Sequence, residues 1–243
     1  MGIKAISFDF WHTLFTEQPG AFLLYNQRRR NLLSEAVLSC RDIAHADLEH
    51  ACRLESEAHN NIWREEHRTQ AASERVVKIL AHLDVSLPDP ALAALVATFE
   101  EGILEHPPIL VNGARETLLS LSQRYRLGII SDVGFSPGRV LKRVLADHDL
   151  LDVFDSLVFS DEAGRAKPHT EVFERTARAL SVKHGEIVHI GDLEHTDIVG
   201  AKRAGYHAIR FTGVTPMEDT ETTIADFVTD DLRDVARLVE MLG

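Results

Sequence analysis

A handful of side chains, far apart in the sequence, carry groups that could handle an anionic reacting centre. Asp9 follows the apolar run Ile3–Phe8, with Thr13 four residues on. Ser131 and Asp132 follow Leu127–Ile130, and Lys167 stands before Pro168. Gly191-Asp192 follows Ile187–Ile190, with Asp197 five residues further. Carboxylates, one ammonium and hydroxyls together suit a divalent cation and a phosphoryl group, because hard cations take oxygen ligands and a phosphoryl transfer needs its charge balanced. Taken singly, each has a plainer reading. A strand-end Asp can cap the next helix, Ser131 and Gly191 can be turn residues, and Lys167 can be a solvated loop charge.

For these groups to converge, each must sit at the same end of a neighbouring strand. The short apolar runs Ile3–Phe8, Leu127–Ile130, Leu157–Phe159, Ile187–Ile190 and Ala208–Phe211 read as buried strands, with Phe227-Val228 as a short edge strand. Helical periodicity falls between them, near residues 114–124, 137–147, 170–181, 197–204 and 231–242. Such alternation predicts an α/β fold: a doubly wound, Rossmann-like parallel sheet, in which ligands collect at the carboxyl ends of the strands. From about residue 20 to 105 the pattern changes to spacings of three and four, as in Leu23, Leu24, Leu32, Leu33 and Val37. That stretch predicts four amphipathic helices, the last introduced by Pro88 and Pro90 and closed by Pro107 and Pro108. The core is therefore expected to be split, directly after its first strand, by an all-helical insert.

Composition removes whole classes of function. The 243 residues are 44% hydrophobic and 26% charged, an ordinary globular mixture. The net charge of −12 makes nucleic acid and anionic membranes poor partners. No run approaches the roughly 20 apolar residues of a membrane helix, and MGIKAISFDF lacks the apolar stretch and cleavage site of a signal peptide. Cys40 and Cys52 form no CxxC pair and suit a reducing cytoplasm. The 13 histidines include no HExxH and no zinc spacing.

The order and context of the reactive residues resemble the haloacid dehalogenase-like (HAD) superfamily of hydrolases. FDFWHTL at Phe8–Leu14 resembles its first motif, a strand followed by DxDGT, and IISD at Ile129–Asp132 its second. AKPHTEVFERTARAL at Ala166–Leu180 is similar to the third, and GDLEHTDIVGAKRAG at Gly191–Gly205 to the fourth, GDxxxxDxxGAxxAG. The resemblance implies a core of residues 1–16 and 107–243 and a helical cap, in the C1 position, of residues 17–106. It implies Asp9 as a nucleophile forming an aspartyl-phosphate, and Mg²⁺ held by Asp9, Asp192 and the Trp11 carbonyl. Asp197 would support the metal's water shell or Lys167. Ser131, Asp132, Lys167 and Trp11 would contact a small phosphorylated substrate, and Thr13 would orient the nucleophile loop.

The chain departs from that pattern where the family's phosphatases carry a second Asp, which protonates the leaving group and then activates water. Trp11 stands there, and an indole can do neither. His12, in place of the usual glycine, is one candidate acid/base. Another reading is a dehalogenase acting on a halogenated substrate, since halide leaves without a proton and the family's haloacid dehalogenases carry Tyr at this position. They use no metal, however, and lack the Gly-Asp pair. A third reading is a binding or regulatory protein on an enzyme scaffold. The expected substrate determinants lie in the cap, where Arg28, Arg29 and Arg30 could meet a substrate carboxylate or second phosphate, or simply form a solvated helix face. Tyr25 and Trp63 are expected in the cap core or at its seam, and the cap helices could also build a homodimer interface.

Overall fold

The central strand, β1 (Ala5–Phe8), is buried along its whole length, as an apolar run must be when helices cover both faces of a parallel sheet. In the computed structural model, which describes residues 2–217 and 222–243, seven further strands follow. They are β2 (Phe15–Thr16), β3 (Ile109–Leu110), β4 (Arg126–Ser131), β5 (Ser156–Phe159), β6 (Ile187–Gly191), β7 (His207–Phe211) and β8 (Phe227–Thr229). Six of the eight strands form one sheet in the order β5-β4-β1-β6-β7-β8, every pairing parallel. The chain leaves β1 for β4 on one side and later crosses to β6 on the other. This puts the topological switch, and the crevice it opens, at the carboxyl end of β1.

Strand parity decides what each face receives. Ile6, Phe8, Val188 and Ile190 point into one apolar layer, while Ala5 and Ile187 point into the other. Ser7 shares the parity of Ala5 and is the register partner of His189 on β6. The same parity, continued past the strand, reaches Asp9. Ten α-helices occur among the described residues. The helices α1 (Ala21–Leu38), α2 (His45–Asn61), α3 (Ala72–His82) and α4 (Asp89–Glu101) come consecutively, before the helices of the sheet. Those are α5 (Ala114–Leu121), α6 (Gly138–Asp147), α7 (Ser160–Ala163), α8 (Thr170–Leu180), α9 (Val199–Arg203) and α10 (Val235–Glu240). Helix α8 buries Val172, Phe173, Thr176, Ala177 and Leu180 as one stripe, and its first turn is capped by the His169 ring accepting from the Glu171 N–H.

Helices α1–α4 share an apolar cluster of their own that includes Leu33, Val37, Leu48, Val76, Ile79 and Phe99. The chain leaves and rejoins the sheet through β2 and β3, which pair antiparallel; pairs of two residues carry no usable periodicity in sequence. The face of α1 also differs from expectation. Its buried stripe is Ala21, Tyr25, Arg29, Leu33 and Val37, whereas Leu23 and Leu24 are 72% and 48% exposed. The stripe runs at strict i, i+4 spacing and includes an arginine, so hydrophobicity alone points to the wrong side. Arg28 pairs outward with Glu105 at 2.7 Å and Arg30 with Glu49 at 3.3 Å. No described helix is long and apolar enough to cross a membrane.

A buried, bidentate ion pair fastens α2 to α3: Arg75 Nε and Nη2 donate to the two Glu55 oxygens at 2.6 and 2.9 Å. Removing one partner of such a pair strands the other charge. Glu55→Ala should therefore lower stability by about 3–5 kcal/mol in urea unfolding, while Glu105→Ala, at an exposed pair, should cost under about 1 kcal/mol. Beside this pair lies His59 of α2. Burial, and next the Arg75 guanidinium, push it from its usual 6.5 down to about 4, with Lys78 adding to the repulsion and Glu55 opposing it. Above pH 6.5 the ring is neutral whether the chain is folded or not. As pH falls from 6.5 toward 4, the unfolded chain takes up a proton that the folded chain refuses, so stability drops across that window and levels off below it. His59→Gln should flatten this part of the profile of urea midpoint against pH; parallel profiles for the variant and wild type would refute the assignment.

Candidate active site

Three strand ends and two loops bring the reactive residues together. Asp9 leaves β1 with its N–H bonded to the Ile190 carbonyl at 2.8 Å. Asp192 follows the last residue of β6, and Asp197 lies in the single π-helical turn Glu194–Ile198. Asp9, Asp192 and Asp197 are all buried, and each offers an oxygen within 4.8 Å of those of the other two. Lys167 lies in the loop between α7 and α8. Its Nζ donates to Asp9 Oδ1 at 2.6 Å and to Asp197 Oδ1 at 2.5 Å.

Asp197 is saturated with donors. Besides Lys167, it accepts from His189 Nε2 at 3.2 Å, from the Leu193 N–H at 3.0 Å and from the Thr196 hydroxyl at 3.3 Å. His189 is in turn bonded through Nδ1 to the Ser7 hydroxyl at 2.9 Å. A buried chain therefore runs from the underside of the sheet through His189 and Asp197 to Lys167 and Asp9. Gly191 is required by close approach rather than by a turn, since a Cβ there would collide with the Asp197 carboxyl group. Asp192 is more lightly held, accepting from the Thr215 hydroxyl at 2.9 Å.

The electrostatics follow from burial. Desolvation pushes the Asp9 carboxyl well up, Asp197 and Asp192 add to the rise, and Lys167 only partly offsets it. Asp192 is raised by burial and by Asp197. Asp197 moves the other way: burial opposes ionisation, but Lys167 and His189 outweigh it. Burial also works against the Lys167 ammonium, yet Asp197, Asp9 and Asp132 together hold its pKa above the usual lysine range. His189 is lowered by burial, so its ring is neutral. Three carboxyl groups crowd one ammonium in a space nearly closed to water, and Asp9 and Asp192 resist ionisation there for want of further positive charge. A hard divalent cation would favour their ionised forms, and Asp9 and Asp192 could offer it oxygen donors. No described residue donates a backbone hydrogen bond to the Trp11 carbonyl, which follows Asp9 by two residues.

The remaining sequence candidates are placed differently. Both oxygens of Asp132 are engaged inside the protein, one by the Lys167 N–H at 2.9 Å and the other by the Trp63 indole at 2.9 Å. Asp132 thus ties the Lys167 loop to the segment just after α2. Ser131 Oγ donates to the Asp132 carbonyl at 3.2 Å. Thr13 Oγ1 is buried with no partner among the described residues. Trp11 packs edge-on against Phe10 and lines a cavity of about 560 Å³ together with His12. His12 has φ 56°, in the left-handed region that glycine occupies easily, at the position where the family resemblance implies glycine. Its Nε2 meets Glu17 at 3.0 Å and its Nδ1 lies 3.8 Å from Asp192 Oδ2. The hydrogen bond to Glu17 is the main cause of its raised pKa.

The sequence reading missed His189, Glu17, Thr215 and the Trp63–Asp132 bond. A histidine inside the apolar run of β6 was a usable signal, because a buried imidazole needs partners. The others depend on loops whose course sequence periodicity does not give.

Comparison with known proteins places the chain in a family. The chain is 35% identical over 133 residues to the glyceraldehyde 3-phosphate phosphatase of Pyrococcus furiosus, covering 54% of each. It spans about half the length, or less, of the glyceraldehyde 3-phosphate phosphatases it matches. It is 24% identical over 206 residues to the 5-amino-6-(5-phospho-D-ribitylamino)uracil phosphatase YigB of Escherichia coli, covering 85% of this chain and 82% of that one. Among solved structures, the 2-haloacid dehalogenase of Pseudomonas syringae pv. tomato DC3000 superposes with a TM-score of 0.75 at 23% identity, over 99% of this chain and 100% of that one, a likeness of fold. With the haloacid dehalogenase-like hydrolase family model matching residues 3–205, the chain belongs to that family of hydrolases.

Proposed function

We propose that the chain is a Mg²⁺-dependent phosphatase of a small phosphorylated metabolite, working through an aspartyl-phosphate on Asp9. The observation that carries this reading is the Asp9 carboxylate, fixed 2.6 Å from the Lys167 ammonium and sharing a cation-sized space with Asp192. The phosphatase names of the relatives from Pyrococcus furiosus and Escherichia coli support it. Residues 17–106 act as the cap over a core of residues 1–16 and 107–243. The unpaired Cys40 and Cys52 fit a reducing cytoplasm.

Asp9, Asp192 and the Trp11 carbonyl hold Mg²⁺, which supplies positive charge to the phosphoryl oxygens. Asp9 attacks phosphorus through one carboxylate oxygen; the new P–O bond forms as the bond to the substrate oxygen breaks. Lys167 balances charge on the nucleophile and the phosphoryl group, and Asp197, locked by four donors, holds Lys167 in place. The Ser131 hydroxyl donates to a phosphoryl oxygen, and the buried Thr13 orients the nucleophile loop. His12 gives a proton to the departing alkoxide from Nδ1, its Nε2 being held by Glu17. It then takes a proton from the water that attacks the phosphoenzyme, releasing phosphate and restoring Asp9. The Trp11 indole forms cavity wall.

Phosphate release from p-nitrophenyl phosphate and from an alkyl phosphate should require Mg²⁺, stop with EDTA, and fall to background in Asp9→Asn. Halide release from 2-chloropropionate that ignores EDTA would overturn the proposal in favour of dehalogenation. Absence of turnover with ligand binding retained would leave a binding protein. His12→Ala should lower kcat roughly 10²–10⁴-fold on the alkyl ester and far less on p-nitrophenyl phosphate, whose leaving group needs no proton. An equal loss on both would remove His12 from the acid role.

A further inference from the structure

Of the three consecutive arginines on α1, only Arg29 turns inward, and it is 9% exposed. Its Nε and Nη2 donate to the Phe99 carbonyl at 3.2 and 3.0 Å. Among the described residues it has no carboxylate within ion-pair reach. The neighbouring buried guanidinium, Arg75, is neutralised by Glu55. Phe135, in the loop after β4, lies against both, with its ring centroid 4.7 Å from Arg29 Cζ and 3.7 Å from Arg75 Cζ. Burial, and then Arg75, bring Arg29 down to about 10. A buried guanidinium without a counter-charge is costly unless something else provides one.

The cavity of about 560 Å³ is lined by Arg29, Arg75 and Phe135 at one end and includes Trp11 and His12 beside the nucleophile loop. Ser136 also lines it. This residue is 5% exposed, and its hydroxyl has no partner among the described residues. We propose that this end of the cavity binds a carboxylate of the substrate, held by the unused Nη1 side of Arg29 and by the Ser136 hydroxyl, while the phosphoryl group meets Asp9. The substrate class is thus a phosphorylated carboxylic acid. The proposal rests on the phosphatase reading above. Charge selects carboxylate over a second phosphate: the buried pair presents one uncompensated positive charge, which a carboxylate cancels and a phosphate dianion would overshoot. The guanidinium fork also matches a planar carboxylate in two bonds.

The test compares kcat/KM, with Mg²⁺, on 3-phosphoglycerate, glycerol 3-phosphate and 1,3-propanediol bisphosphate. The first two share a carbon skeleton and differ in the carboxylate. Wild type should prefer 3-phosphoglycerate to glycerol 3-phosphate at least about tenfold. Arg29→Met should erase that ratio, chiefly through KM; Arg29→Lys should restore part of it, and Arg28→Met should leave it unchanged. A wild-type ratio near one, or a ratio unaffected in Arg29→Met, overturns the proposal. Preference for the bisphosphate over both other esters overturns the carboxylate assignment. Should no ester turn over, or Arg29→Met fail to fold, calorimetry on Asp9→Asn with Mg²⁺ decides. Tighter binding of 3-phosphoglycerate than of glycerol 3-phosphate supports the site even where the phosphatase reading has failed, and equal binding refutes it.

Discussion

One ammonium group between two carboxylates organises the heart of this molecule. Lys167 Nζ, buried with Asp9 on one side and Asp197 on the other, is tolerable in that setting only because the negative charge is already there. Those acids in turn accumulate around it because it is there. The rest of the local structure reads as the means of holding this arrangement. Asp197 must come close to the end of β6, so Gly191 has no side chain. The turn over Glu194–Ile198 aims the Leu193 N–H at the same carboxylate, and His189, steadied by Ser7, bonds it from below. Strand parity supplies the last link, because register partners Ser7 and His189 share the face that leads up to Asp9.

That logic explains which parts were legible in sequence. Buried strands and amphipathic helices announce themselves by period, so the six-stranded sheet and the four consecutive helices were readable, and the strand-end residues Asp9, Ser131 and Asp192 came with them. Lys167 and Asp197 lie in a loop and a turn, where periodicity places nothing; they stood out by residue type close to the strand ends, and the family motifs then implied their roles. Arg28, Arg29 and Arg30 were indistinguishable in sequence because their roles depend on one helix's rotation of about 100° per residue. The stripe that fixes that rotation passes through Tyr25 and Arg29 rather than through Leu23 and Leu24. Asp132 illustrates a different gap. Its position beside Ser131 suggested substrate contact, but its oxygens serve Trp63 and the Lys167 backbone, a tertiary arrangement that no local pattern encodes.

The two buried charge groups follow opposite rules. Around Lys167 negative charge is in excess; around Arg29 and Arg75 positive charge is in excess, with a cavity leading from the nucleophile loop to the guanidiniums. Neither imbalance is what stability alone would favour, since apolar packing of the same volume commonly does as well. Glu55 pairs with Arg75, so balanced buried pairs are available to this fold, and Arg29 stands beside one of them.

The antiparallel pairing of β2 with β3 has a consequence for how the helical excursion is held. Where the backbone departs from the sheet it is zipped to the place where it comes back, Phe15 opposite Leu110 and Thr16 opposite Ile109. The loop-closure cost of whatever lies between is thereby met at the neck, and it grows only slowly with the length enclosed. The excursion is nevertheless moored a second time, because Trp63 bonds Asp132, Thr69 bonds Ser160 and the His67 carbonyl accepts from the Ala166 N–H. The neck sets where the helical module begins and ends, and this second mooring sets where it meets the loops that carry the chemistry.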